Sequence, residues 1–305
     1  MTKYLVTGGA GFIGRHVTRL LHDTGNEVWS IGRDRADFTP SQWGISHWVD
    51  GLVTESSLAS LDVEFTCIVH CAGGSSVGAS IQDPIGEFKR TIDSTIAVLE
   101  YARNRPKAPK FVALSSAGVY GARPPGPISV SADLDPVSPY GYYKKMSEDL
   151  CFAYGKQYKV PTAIVRLFSV YGAGIRKQLL WDACNKLALG KASFSGTGNE
   201  TRDWLHVSDA AALLLLAAEK AAPRPFVLNG GTGVAIPIKS VVEHLARGLK
   251  LTPEITFNGQ ARDGDPVHFQ ADIAEASSLG WTPKVDWCQG VSEYAAWFQK
   301  EFENA

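Results

Sequence analysis

A chain of 305 residues, 45% of them hydrophobic, can bury a large core and is long for a single α/β layer domain, so one cofactor-sized domain with a smaller appended lobe is expected. The 30 Lys+Arg and 31 Asp+Glu residues nearly cancel, and a net charge of -1 offers no general field to hold a nucleic acid or an anionic membrane. The first apolar stretch breaks at Gly8, too early for a signal peptide or a membrane span, which makes a cytoplasmic protein the expectation. Residues 4–7 then read as a short strand, Gly8 to Gly14 as a turn, and Val17, Leu20 and Leu21 as one face of a helix that stops at Gly25-Asn26. Residues 28–31 restart a strand. Further apolar strands follow at 67–70, 111–114 and 162–165, with gaps long enough for crossover helices, and this alternation predicts a Rossmann-type doubly wound parallel sheet. Past about residue 172 the pattern changes to helical runs at 178–189 and 210–221 divided by Gly- and Pro-bearing loops. The predicted division is therefore a dinucleotide-binding domain over 1–171 and a smaller, mainly substrate-binding C-terminal lobe over 172–305, with some segments returning to the first domain. The Leu213-Leu214-Leu215-Leu216 run, bounded by Asp209 and Glu219, is a buried helix rather than a membrane segment.

The glycines at 8, 11 and 14 stand between the first strand and the first helix. Glycine there allows a tight turn, close approach of a pyrophosphate, and tight packing of helix on strand, with phosphate charge met by the helix N-terminus. Gly8, Gly11, Phe12, Ile13 and Gly14 are thus candidate cofactor contacts. An acidic residue for the ribose 2′-hydroxyl is expected at the end of the second strand, but the chain has Gly32 followed by Arg33-Asp34-Arg35. A guanidinium pairs with a 2′-phosphate, so Arg33 and Arg35 favour NADP(H) over NAD(H); the alternative is two solvated loop charges with Asp34 taking the acidic role. Asp50, after Trp48-Val49, is a candidate for the adenine amino group.

Two later segments carry the chemistry. Leu114-Ser115-Ser116-Ala117-Gly118 follows a strand, and Tyr140 and Lys144 lie four apart at the start of a helix, on one face. A tyrosine hydroxyl titrates near pH 10 in isolation, and a neighbouring ammonium favours its phenolate. A serine hydroxyl from the adjacent strand end steadies the reacting oxygen; Ser116 is the first candidate and Ser115 the fallback. The five cysteines show no zinc-type spacing and the seven histidines no ligand pattern, so no metal is expected.

With Val69-His70-Cys71-Ala72-Gly73, Arg166-Leu167-Phe168-Ser169-Val170-Tyr171-Gly172 and Arg202-Asp203-Trp204-Leu205-His206-Val207-Ser208-Asp209, these motifs make the chain resemble the extended short-chain dehydrogenases/reductases. The likeness covers nearly the whole chain and is to their nucleotide-sugar epimerase, dehydratase and reductase branch. It implies a catalytic Ser116/Tyr140/Lys144 set, cofactor contacts at Ala72 and Lys144, and a sugar pocket lined by Val77 and Ser80. It also implies nucleotide contacts from Ser169, Arg202, Arg262 and Asp265. Two departures stand out: Ser169 replaces the usual Asn, and so does Thr91 on the nicotinamide side. Dehydratases of this branch carry Asp-Glu after the hydroxyl residue, where this chain has Ala117-Gly118, which argues against dehydration. What remains is a 4-keto reductase using NADPH, the first expectation, a 4-epimerase, or a catalytically silent NADP-binding protein. Homodimerisation through helices at 92–103 and 143–154 is implied as well. His70 is expected to pack beside the cofactor, and His206 to order the 203–209 turn.

Overall fold

The computed structural model describes residues 2–74, 76–260 and 267–303. Its strands are β1 Lys3–Thr7, β2 Glu27–Gly32, β3 His47–Asp50, β4 Cys67–His70, β5 Lys110–Ser116, β6 Thr162–Leu167, β7 Ser169–Tyr171, β8 Ser193–Phe194, β9 Thr201–His206, β10 Phe226–Gly230, β11 Ala235–Pro237 and β12 Thr256–Phe257. The helices that matter below are α1 Phe12–Asp23, α2 Glu55–Ala59, α3 Val77–Gln82, α4 Pro84–Phe88, α5 Ser94–Arg103, α6 Pro139–Tyr158, α7 Gln178–Ala188 and α8 Val207–Lys220.

Seven strands form one sheet in the order β10-β6-β5-β4-β1-β2-β3. Pairing is parallel from β3 through β2, β1, β4 and β5 to β6, with Thr7 opposite both Ile31 and His70. The order reverses at β1, which has β2 on one side and β4 on the other. In open α/β sheets such a reversal opens a crevice beyond the strand C-termini, and ligands bind there. Strands β4 and β6 are buried along their whole length, as central parallel strands covered on both faces must be. Ile68 of β4 and Ile164 of β6, with Leu5, Ile31, Phe111 and, from α5, Val98, Leu99 and Ala102, belong to one hydrophobic core cluster.

The chain divides into two compact units: Met1–Gly121, Val130–Leu167 and Ala210–Asn229 in one, and Ala122–Ser129, Phe168–Asp209 and Gly230–Ala305 in the other. The second holds the three-stranded sheet β11-β9-β7 and the pair β12-β8. Strand β3 was not foreseen as a strand because it is a four-residue edge with no buried side chain to mark a periodicity. Strand β10 escaped for a different reason: sequence order puts it far from the strands it joins.

Candidate active site

Strand β1 delivers the chain into the glycine turn. Gly8 has φ +74°, and a Cβ there would lie 2.8 Å from the Ala72 nitrogen, so both conformation and space demand glycine. The Gly11 amide donates to the Gly8 carbonyl at 2.9 Å. Gly11 caps α1 with no side-chain acceptor, which leaves the first amides of the helix directed outward for an anion. A side chain on Gly14 would run into the Gly8 carbonyl. Phe12 and Ile13, in the first turn, are half-buried. Ala72 is half-buried after β4, its amide donating to Thr7 Oγ1 at 3.3 Å. The turn, the bare helix end and the β4 terminus fit a dinucleotide pyrophosphate.

At the end of β2, Gly32 is buried while Arg33, Asp34 and Arg35 are exposed. Asp50 Oδ1 accepts the Asp34 amide at 2.7 Å, so one oxygen of that carboxylate is already engaged in shaping the loop. Arg35 Nε pairs with Asp37 at 3.0 Å. Arg33 makes no hydrogen bond or ion pair among the described residues. Sequence reasoning missed Arg15, the residue directly after Gly14. It is buried, donates from Nη2 to the Ala10 carbonyl at 3.1 Å, and stacks 5.3 Å from the Trp43 ring. Asp37 is held below the usual carboxylate range, first by Arg35 and to a lesser degree by Arg15 of α1. The missed signal was an arginine where the helix turns its face inward.

The candidate reacting groups meet at the end of β5. Ser116 caps the following turn by accepting the Gly118 amide at 3.1 Å, and its hydroxyl lies near enough to Tyr140 to lower the pKa of the phenol. Ser138 accepts the Gly141 amide at 3.2 Å and Pro139 opens α6, so the helix start that carries Tyr140 is capped in the usual way. Lys144 is 7% exposed and donates to the Leu114 carbonyl at 3.0 Å, with its ammonium 5.9 Å from the Tyr140 ring centre. Burial pushes Lys144 down to about 8. Burial also raises Tyr140, with Ser116 opposing the rise and Glu87 adding to it. The expected lowering of Tyr140 by Lys144 is therefore absent here: desolvation dominates, and the ammonium is turned toward Leu114.

Ser115 points elsewhere. Its hydroxyl donates to Glu148 Oε1 at 2.5 Å, inside a buried network where Glu148 binds Arg166 at 2.7 Å and Arg166 reaches the Tyr120 hydroxyl at 3.0 Å. His70 Nδ1 lies 2.7 Å from Thr7 Oγ1, and burial pushes its pKa down to about 3, so it is a neutral packing residue. Thr91 accepts the Gly74 amide at 3.0 Å. Val77 is half-buried, whereas Ser80 is wholly buried: its hydroxyl donates to the Val77 carbonyl at 2.7 Å and accepts the Tyr140 amide at 3.1 Å. Ser80 thus anchors the start of α6 to α3.

Ser169 and Arg202 belong to the second unit, on β7 and β9. Arg202 is half-buried and donates to the Thr201 carbonyl at 2.9 Å. Asp203, fully buried, accepts amides of Thr232, Gly233 and Ala271, and Asp209 accepts those of Lys284 and Val285. His206 Nδ1 sits 2.7 Å from Ser208 Oγ. The acids of this motif are structural. Arg262 and Asp265 lie outside the described residues. Among the described residues no three His, Cys, Asp or Glu side chains gather as a metal site.

The sequence model of the NAD dependent epimerase/dehydratase family matches residues 4–229. The UDP-glucose 4-epimerase of Azospirillum brasilense is 29% identical over 331 residues, spanning 99% of this chain and 93% of that protein. The UDP-glucose 4-epimerase of Thermotoga maritima, solved with UDP-glucose, superposes with a TM-score of 0.90 at 25% identity, covering 99% of this chain and all of that one (100%). The UDP-glucuronic acid 4-epimerase of Bacillus cereus, solved with UDP-glucuronic acid and NAD, gives 0.88 at 25% identity over 98% and 100% of the two chains.

Proposed function

Because the chain belongs to the NAD-dependent epimerase/dehydratase family, we propose that it inverts the C4 hydroxyl of a nucleotide sugar, with a UDP-hexose as the first substrate to try. The observation that carries this reading is the Ser116/Tyr140/Lys144 set followed by Ala117-Gly118. It offers one group able to move a proton at a sugar hydroxyl and, at the two positions after Ser116, none to remove a second hydroxyl as water. The nicotinamide cofactor, when bound, supplies the hydride acceptor and donor. Tyr140, once its phenol has been deprotonated, takes the proton of the C4 hydroxyl as that carbon is oxidised and returns it to the 4-keto sugar after the ring presents its other face. Ser116 hydrogen-bonds the reacting oxygen, and Lys144 contributes the positive charge. The 4-epimerases among the relatives support the same reading.

One observation favours a second reading. Gly32 followed by an exposed, unpaired Arg33 suits a 2′-phosphate, and a reductase that consumes its hydride each cycle profits from exchangeable NADPH. That would make the chain a 4-keto reductase with Tyr140 as proton donor. The experiment pairs the two. Interconversion of UDP-glucose and UDP-galactose with no added cofactor and no net oxidation of NADPH is the expected result. Stoichiometric loss of nicotinamide absorbance with a 4-keto-6-deoxy nucleotide sugar, together with tighter binding of NADPH than NADH, would replace the epimerase by the reductase.

A further inference from the structure

Glu87 has no part in the reactions above, yet its side chain is only 2% exposed. Its Oε2 accepts from Arg90 at 3.0 and 3.3 Å, while Oε1 has no hydrogen-bond partner among the described residues. Leaving a buried carboxylate oxygen unpaired is costly in a fold and marks a group held for its charge. That oxygen lies against Gly74, where any side chain would overlap it; a Cβ at the preceding Gly73 would lie 3.7 Å from Lys144 Nζ. Gly74 therefore lies against the Glu87 carboxylate and Gly73 near the Lys144 ammonium, and neither glycine carries a side chain to keep the two charges apart.

The other ionisable groups around Lys144 are compensated or neutral. Glu148 is spent on Arg166 and Ser115. Burial holds His70 down to about 3 and pushes the Cys71 thiol up to about 12, so neither carries charge near neutrality. Tyr140 is raised and stays protonated. Arg90 neutralises Glu87 incompletely, because it is 37% exposed and also reaches Asp83 at 3.4 Å, so two carboxylates share one guanidinium. Glu87 is the foremost influence opposing the fall in the Lys144 pKa that burial causes, ahead of Cys71 and Glu148.

We propose that Glu87 is a positioning residue for the proton-transfer pair: its buried carboxylate, set against Gly74, holds Lys144 as the ammonium in a site whose burial favours the neutral amine. The assignment rests on the Tyr140/Lys144 chemistry proposed above and adds to it the source of the counter-charge. The same negative charge favours the protonated phenol of Tyr140, so Glu87 keeps the resting pair loaded with protons.

Glu87→Gln keeps the shape and removes the charge. In the cofactor-free protein, a ¹³C NMR titration of the Lys144 Cε, assigned by its loss in Lys144→Met, should show its pKa falling from about 8 by roughly one unit. The alkaline limb of kcat/KM should move to lower pH with it, and Glu87→Asp should restore part of the shift. Arg90→Gln, at a more exposed site, removes the competing cation and should shift both readouts upward; it carries the test with opposite sign if Glu87→Gln does not fold. An unchanged Lys144 pKa in the variants, with Tyr140→Phe inactive, overturns the role of Glu87 alone. Activity surviving in Tyr140→Phe overturns the underlying chemistry instead.

Discussion

Adjacent serines at the end of β5 show how one residue of register assigns a role. Side chains alternate across a strand, so Ser115 and Ser116 must face opposite ways. Ser115 meets Glu148 in the interior, and Ser116 meets Tyr140. Lys144 sits one helical turn beyond Tyr140, yet its ammonium is turned toward the Leu114 carbonyl and burial raises the pKa of the phenol. In the proposed reaction, proton transfer depends on that single hydroxyl. Tyr140→Phe should cut turnover by ~100-fold or more while leaving cofactor affinity unchanged, since the ring and its packing remain. Steady-state assays with a fluorescence titration of the cofactor check both halves, and retention of more than about a tenth of wild-type turnover would refute the role.

Helix α6 is fixed to the sheet by a buried polar network, and this is what aims its first turn. Glu148 on α6 binds Arg166 of β6 and Ser115 of β5, Arg166 binds Tyr120, and the Tyr120 hydroxyl reaches Asn229 of β10 at 2.6 Å. Removing one partner strands a buried charge, a loss of about 3–5 kcal/mol. On the same helix the exposed Lys145–Asp149 pair, at 3.3 Å, is worth at most about 1 kcal/mol. Urea unfolding should therefore find Glu148→Ala far less stable than Lys145→Ala, and comparable losses would show that the network does not hold α6 in place. The glycine turn works the other way: Gly8 lets β1 and the chain after β4 approach closely with no side chain between them.

Beyond single elements, α6 exposes several apolar side chains. Tyr142, Met146 and Phe152 are 52%, 41% and 39% accessible, and Met146 lies one turn beyond Tyr142. Together with α5, this surface is where a second copy is expected to dock in a two-fold arrangement that joins two helices from each chain. Light scattering at micromolar concentration should give twice the 32.9 kDa chain mass, and Met146→Asp with Phe152→Asp should return it to the monomer. A wild-type mass near that of one chain would exclude the dimer. Among the described residues, no helix is long and apolar enough to cross a membrane.

Much of the first unit could be read from neighbouring residues: the short apolar strands, the glycines at 8, 11 and 14, and the i, i+4 spacing of Tyr140 and Lys144. Each is a local pattern, set by backbone sterics and helical or strand periodicity over a few positions. Family resemblance supplied the expected roles of Ser169 and Arg202, but no local rule tests them. Other features required the folded chain. The join of β10 to β6, the Thr7–His70 contact 63 residues apart, the engagement of Ser115 by Glu148 and the placing of Glu87 against Gly74 are of this kind. Glu87 and Arg15 look like ordinary surface charges in the sequence. Burial and long-range proximity change what those charges do, and both arise only when distant segments pack together.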